Sequence, residues 1–386
     1  MSLYIKLKYQ FAMFAKPFIF LLTFMLTIAN FVFLLIPASL VFFPLYIIFN
    51  DFFAKAFWDI FLLFVSMICV FTLLYMFFDM LFGFTAKFLN RRARHISIMT
   101  AIPRQQEIMD SFQWLRSKFG VENTRLLIDT DGEVINAYAI GGSNNQTVTL
   151  TLGLIFEIHR RYKDDEELYV RAIQGIMGHE LSHLVNKDFL PGLLTASSYT
   201  INHYVANMMR IFLLILANVL LFIPFIGWYI KVFIYKTYNF VTWFCGLFLR
   251  WVYMPVHGFL MKWFGRSIEY RCDRDSANVV GGYSMVLGLA ALGKGSYFSI
   301  FSTHPRTKSR IKRVENIRNR GADIRPSVLN SVANGISLFT IVFVMYATTF
   351  SIDWENLERN YIKEVYIPTA IKINNIKQKW YDFYYN

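Results

Sequence analysis

Two histidines and a glutamate set the chemistry this chain could perform. They fall in the run Gly178-His179-Glu180-Leu181-Ser182-His183, an H-E-x-x-H pattern. On an α-helix, residues four apart lie on one face, one turn from each other. His179 and His183 would therefore aim two imidazoles at a common point, which suits a tetrahedral zinc ion. Glu180 sits beside that face, close enough to take a proton from a water acidified by the metal. The plainer reading is a solvated helix with two ordinary histidines. The chain holds only 7 His, so the pattern seldom arises by chance.

The local sequence supplies the helix that this geometry needs. Asp164, Asp165 and Glu166 place negative charge where a helix would start. Leu168, Ala172, Ile173, Ile176, Leu181, Leu184 and Val185 then recur at helical spacing. The motif falls in the last two turns, and Asn186-Lys187-Asp188 followed by Pro191 ends the helix.

Two histidines do not complete a protein zinc site; a third ligand is needed, with the fourth position left open. A metzincin would carry Gly and His where this chain has Asn186 and Phe189, so that class is excluded. The other common solution is a Glu on a second helix. Ser267 to Asp273 opens such a helix, running to the Gly281-Gly282 stop, with Glu269 and Asp273 four apart on one face. An Asp that orients a metal-bound histidine would complete the arrangement. A surface helix whose acids pair with Arg271 and Arg274 is the alternative, and the residues by themselves favour it.

The composition is that of a membrane protein. The chain of 386 residues is 55% hydrophobic, 18% aromatic and only 17% charged, with mean hydropathy +0.39. Its net charge of +13 sits on Lys and Arg that flank apolar segments. That placement reads as topology and lipid contact, and no nucleic-acid partner is expected. Cys69, Cys245 and Cys272 form no disulfide framework.

Taken in order, residues 1–87 form an N-terminal membrane hairpin, with uncharged stretches predicting spans at 17–36 and 60–78. Basic residues at both ends of the hairpin (Lys6, Lys8, Lys16; Lys87, Arg91, Arg92, Arg94) put the remainder of the chain on the cytoplasmic side. Residues 88–203 form the first half of a protease domain. It holds a helix from Arg104 to Phe119, strands at Thr124–Ile128 and Glu133–Ile140 around the Asp131-Gly132 turn, a further strand at Gln146–Leu152, and the motif helix. On the second strand, Asn136, Ala137, Tyr138, Ala139, Ile140 and Gly141 alternate small residues, so an extended peptide could lie against it. An ordinary strand ending in a Gly-Gly turn is the competing reading.

Residues 204–262 form a second membrane or amphipathic hairpin, with 211–230 as one arm. Residues 263–327 carry the second half of the protease domain, and 328–386 a C-terminal apolar helix and tail. The fold class expected is a mainly α integral membrane protein with an α+β metallopeptidase domain built on a small mixed sheet.

Four segments in this order resemble the HtpX-type membrane zinc metallopeptidases, gluzincin relatives of the CAAX prenyl endoprotease. They are the motif helix with Asn186 and Asp188, the Glu269-Tyr270-Arg271-Cys272-Asp273 helix with Arg274 and Ala277, the Asn136–Gly141 strand, and Ser302-Thr303-His304-Pro305 with Arg306 and Arg310. The resemblance spans roughly 15–320 and does not clearly include 328–386. It implies one zinc ion per chain, with Glu269 as third ligand and Asp273 supporting a histidine ligand. It further implies that 136–141 receives substrate and that His304 stands near the reacting carbonyl or its oxyanion. Cys272 within the second helix is expected to be buried and inert.

The expected activity is zinc-dependent endoproteolysis of membrane or misfolded polypeptides, with Glu180 as general base. Specific processing of lipid-anchored or prenylated proteins is a rival, and an inactive adaptor retaining the fold is another. A transporter would need paired acids within the spans, and none are present. The expected partners are polypeptides and the lipid bilayer; oligomeric state is left open. A cytoplasm-facing site fits a bacterial inner membrane better than an endoplasmic reticulum membrane.

Overall fold

The computed structural model describes residues 16–23, 74–99, 102–141, 145–222, 225–248, 254–292 and 305–350, with scattered positions elsewhere. Two compact units emerge from the contacts. One comprises residues 1–23, 75–198 and 254–341; the other comprises 24–74, 199–253 and 342–386.

In the first unit, a short helix α1 (16–23) precedes helical turns at 74–82 and α2 (Phe84–Leu89). Strand β1 (Ala93–His95) and helix α3 (Gln105–Phe119) follow. The spacing of α3 buries Ile108, Phe112, Leu115 and Phe119 on one face, and Gly120 at φ 63 closes it. Next come β2 (Arg125–Asp129), β3 (Ala137–Gly141), β4 (Gln146–Thr151) and α4 (Leu152–Arg161).

The sheet runs β1-β2-β4-β3. Strand β4 is parallel to β2 and antiparallel to β3. The strands on either side of Asp131-Gly132 are thus not paired with each other, because β4 lies between them. Local hydrogen bonds account for this. Asp131 Oδ1 accepts the amides of Glu133 and Val134 at 3.0 and 3.2 Å, and Thr151 Oγ1 accepts that of Asn136 at 3.0 Å. Residues 133–136 are therefore a loop, and β3 begins only at Ala137. β3 is left at the edge of the sheet.

The motif helix is α5 (Glu166–Val185), begun by Asp165, whose carboxylate accepts the amides of Glu167 and Leu168. Helices α8 (Met254–Val280) and α9 (Gly282–Ala291) press closest against it, with α3 and α4 also in contact. Glycines permit the approach. A methyl at Gly175 would stand 2.5 Å from the Ser284 carbonyl oxygen on α9, and one at Gly178 would stand 2.6 Å from Ser276 Oγ on α8. α8 starts well before Ser267, where the sequence suggests a helix opening, because nothing after Pro255 interrupts it. Gly281, at φ 95, separates α8 from α9. Helices α10 (Thr307–Val314) and α11 (Val328–Phe350) complete the description, α11 running on beyond the first unit.

The second unit contains most of α6 (Leu190–Val219) and all of α7 (Gly227–Phe248). Leu213 and Ala217 pack against Ile234, and Lys231 Nζ donates to Asn218 Oδ1 at 2.9 Å. The uncharged stretch 211–230 is therefore not one straight span. It is interrupted by a tight turn at Leu220–Phe222, and the chain reverses into α7. Phe222, Phe225, Trp228, Tyr229, Phe240 and Trp243 are exposed on this pair. Among the described residues, no helix is long and apolar enough to cross a membrane. The predicted spans at 17–36 and 60–78 lie largely outside those residues.

Candidate functional site

His179 and His183 lie one turn apart on α5, and α8 brings Glu269 to them. Their Nε2 atoms are 3.2 Å apart. Glu269 Oε2 is 3.4 Å from His179 Nε2, and Oε1 is 3.7 Å from His183 Nε2. All three side chains are largely buried, at 7%, 17% and 7% exposure. The other ring nitrogens are engaged elsewhere. His179 Nδ1 lies 2.9 Å from Asp273 Oδ1, and His183 Nδ1 lies 3.4 Å from Asp188 Oδ2.

This arrangement fits a metal ion. With the rings neutral, the acid beside each Nδ1 would hold the proton there and leave both Nε2 lone pairs facing one another beside a carboxylate. Such a cluster needs a positive centre. Two nitrogens bound to one tetrahedral zinc at the usual bond length would be about 3.3 Å apart, close to the spacing seen here. The three donors fall within 4.8 Å of one another.

The electrostatics agree. Burial opposes charge on His179, but Glu269 and Asp273 outweigh it and push its pKa up to about 10. Burial likewise opposes charge on His183, yet Cys272 and Asp188 raise its pKa well above the ordinary histidine value. Metal and proton therefore compete for one position.

The supporting acids have cations of their own. Arg310, on α10, is buried and grips Asp273 with two hydrogen bonds of 2.8 and 2.6 Å, while its Nη1 lies 3.1 Å from Glu269 Oε2. Burial would raise the Asp273 pKa, but Arg310 holds it below the usual carboxylate range. Arg271 pairs with Asp188 and also donates to the Ser182 carbonyl at 3.3 Å. Asp188 is held far below the ordinary carboxylate range, with Arg271 overcoming the effect of burial.

His183, Asp188 and Cys272 form a second donor cluster. The guanidinium of Arg271 lies 3.1 Å from Cys272 Sγ within it, which disfavours a second cation there. Cys272 is fully buried, as expected.

One cleft of about 510 Å³ gathers the rest. Its lining includes His179, Glu180, His183 and Glu269, with Asn136, Ala137, Tyr138 and Ala139 along one side. Ala137 to Ala139 belong to the edge strand β3, while Asn136 sits just before it. Ile176, Met285 and Arg310 also line it. His304 lies outside the described residues, although its neighbour Pro305 lines the cleft.

Glu269 and Asp273 do not take the surface-helix alternative: Arg274 pairs with Asp275, and Arg271 with Asp188 and Asp275. Sequence reasoning assigns Asp188 and Arg310 no role beyond their place in the patterned segments. The available signal was a buried ion pair, and pairing across the chain has no local spacing.

The family model for Peptidase family M48 matches residues 102–318, more than half of the chain. The chain belongs to peptidase family M48. Relatives agree on the HtpX type. A Protease HtpX homolog from Bordetella petrii is 22% identical over 240 residues, covering 56% of this chain and 72% of the relative. One from Bacillus licheniformis is 23% identical, covering 55% and 69%. Protease HtpX from Mannheimia succiniciproducens is 24% identical over 266 residues, covering 61% and 85%. No solved structure matches significantly. The chain is thus an HtpX-type M48 peptidase, with a mostly helical fold around a small mixed sheet.

Proposed function

We propose that this M48 peptidase is a membrane-embedded zinc endopeptidase that cleaves membrane or misfolded polypeptides, serving protein quality control. The observation that carries the reading is the convergence of His179 Nε2, His183 Nε2 and the Glu269 carboxylate beside Glu180, in a cleft bordered by a sheet edge.

His179, His183 and Glu269 would hold one zinc ion, and Asp273 would fix the His179 tautomer. When bound, the zinc supplies Lewis acidity, which acidifies water and polarises a carbonyl. The protein residues do the remainder. β3 accepts an extended substrate as an added strand, its main-chain groups pairing with Ala137 to Ala139 and Asn136 anchoring the entry. Glu180, at the rim of the ligand face, takes a proton from the attacking water and returns it to the leaving amine. By the family resemblance, His304 would polarise the reacting carbonyl. Ile176 and Met285 would present apolar surface to the bound peptide.

The membrane assignment rests on composition, on the uncharged stretches and on the aromatic side chains exposed along α6 and α7. By the charge distribution, the catalytic unit faces the cytoplasm, at a bacterial inner membrane. The test is zinc content together with cleavage of a model membrane protein in detergent or liposomes. Zinc near one ion per chain and cleavage lost in Glu180→Gln are expected. A zinc-free wild type, or a Glu180→Gln variant that cleaves normally, would sink the proposal.

A further inference from the structure

The end of the motif helix is held by two residues that lie outside the family match at 102–318. Lys16, on α1, and Asn330, on α11, are both fully buried. Lys16 Nζ is 3.4 Å from the Asn186 carbonyl oxygen, 3.2 Å from that of Lys187 and 3.3 Å from Asn330 Oδ1. Asn330 Nδ2 donates to the same Asn186 carbonyl, and Asn334 Nδ2 reaches it at 3.3 Å. The last carbonyls of a helix lack partners within the helix and carry the negative end of its dipole. A buried ammonium and a buried amide satisfy both needs.

What these residues hold is a strained turn. Lys187 adopts φ 51, a left-handed conformation that a lysine rarely takes. The residue that follows is Asp188, whose carboxylate meets His183 Nδ1. A turn relaxed towards ordinary backbone angles would swing Asp188 away from the ring.

We propose that Lys16 and Asn330 are positioning residues of the metal centre, locking the Asn186–Asp188 turn so that Asp188 orients His183. The inference rests on the zinc reading above. Residues before and after the family-matched segment thereby complete a site whose candidate ligands all lie within it. Partners that orient metal-bound histidines commonly change affinity by about 10- to 100-fold when removed, and residues one step further out should act more weakly.

The experiment is the zinc dissociation constant of the full-length protein in detergent, measured by chelator competition, with the metal-free melting temperature recorded alongside. Lys16→Met and Asn330→Leu should each weaken zinc binding about threefold to tenfold. Lys16→Arg, which keeps the cation, should restore most of the affinity. In an Asp188→Asn background, Lys16→Met should cause no further loss. The inference is overturned if Lys16→Met lowers the melting temperature but leaves zinc affinity unchanged, or if its effect persists undiminished in Asp188→Asn. If both Lys16→Met and Asn330→Leu fail to fold, Asn334→Ala, which removes one hydrogen bond to the same carbonyl, carries the test: a small loss of affinity supports the idea and no change refutes it. A wild-type chain that takes up no zinc would instead defeat the metallopeptidase reading itself.

Discussion

His179 and His183 owe their common aim to helical period, but their readiness for a metal comes from the acids behind them. Asp273 and Asp188 lie against the Nδ1 atoms of the two rings, and Arg310 and Arg271 lie against those acids. Glu180→Gln should lower cleavage by about 10²- to 10⁴-fold with zinc content intact, since it removes the proton acceptor and no ligand. Arg310→Met should behave differently. It strips the cation from Asp273 and the flank of Glu269 in a buried setting, so it should destabilise the protein by about 3–5 kcal/mol in denaturant melts and weaken zinc binding. The pH dependence follows from His179. Its pKa of about 10 without metal means that zinc must displace a proton across the neutral range. Apparent zinc affinity should therefore rise with pH from 6 to 9, by up to about tenfold per unit for each proton displaced. A flat profile would mean that neither histidine is a ligand.

At the scale of elements, the site depends on how closely three helices approach. Glu269 reaches the α5 histidines because Gly175 and Gly178 let α9 and α8 lie against that helix. The two glycines should not be equivalent. The methyl of Gly175→Ala meets a backbone oxygen of α9, which cannot turn aside, and should cost about 1–3 kcal/mol in thermal melts. The methyl of Gly178→Ala meets the Ser276 side chain, which can turn only by giving up its 2.8 Å hydrogen bond to the Gly175 carbonyl, and should cost less because no backbone must move. Equal losses would indicate that the helices yield as rigid bodies. The sheet contributes its edge: β3 borders the cleft because β4 inserts between it and β2. The sequence shows these strands but not that order. Parallel pairing of β2 with β4 joins residues without a connecting turn, and no local pattern encodes it.

At the scale of the molecule, a metal that ties α5 to α8 should matter for stability as well as catalysis. Chelation should lower the melting temperature, and zinc at about a thousand times its dissociation constant should add about 4 kcal/mol of stability. A metal that left the melting temperature unchanged would be bound elsewhere or only loosely. What the sequence by itself determined is what one helix or one composition can carry. Helical period put His179, Glu180 and His183 together, and Asp165 marked where their helix begins. Only the tertiary structure decided which acids meet which bases. Asp188 and Arg310 are ordinary charges in the chain, and Lys16 and Asn330 lie far from the motif in sequence. Their meaning depends on burial, because a charge removed from water must find a partner, and that partner is chosen by packing across the fold.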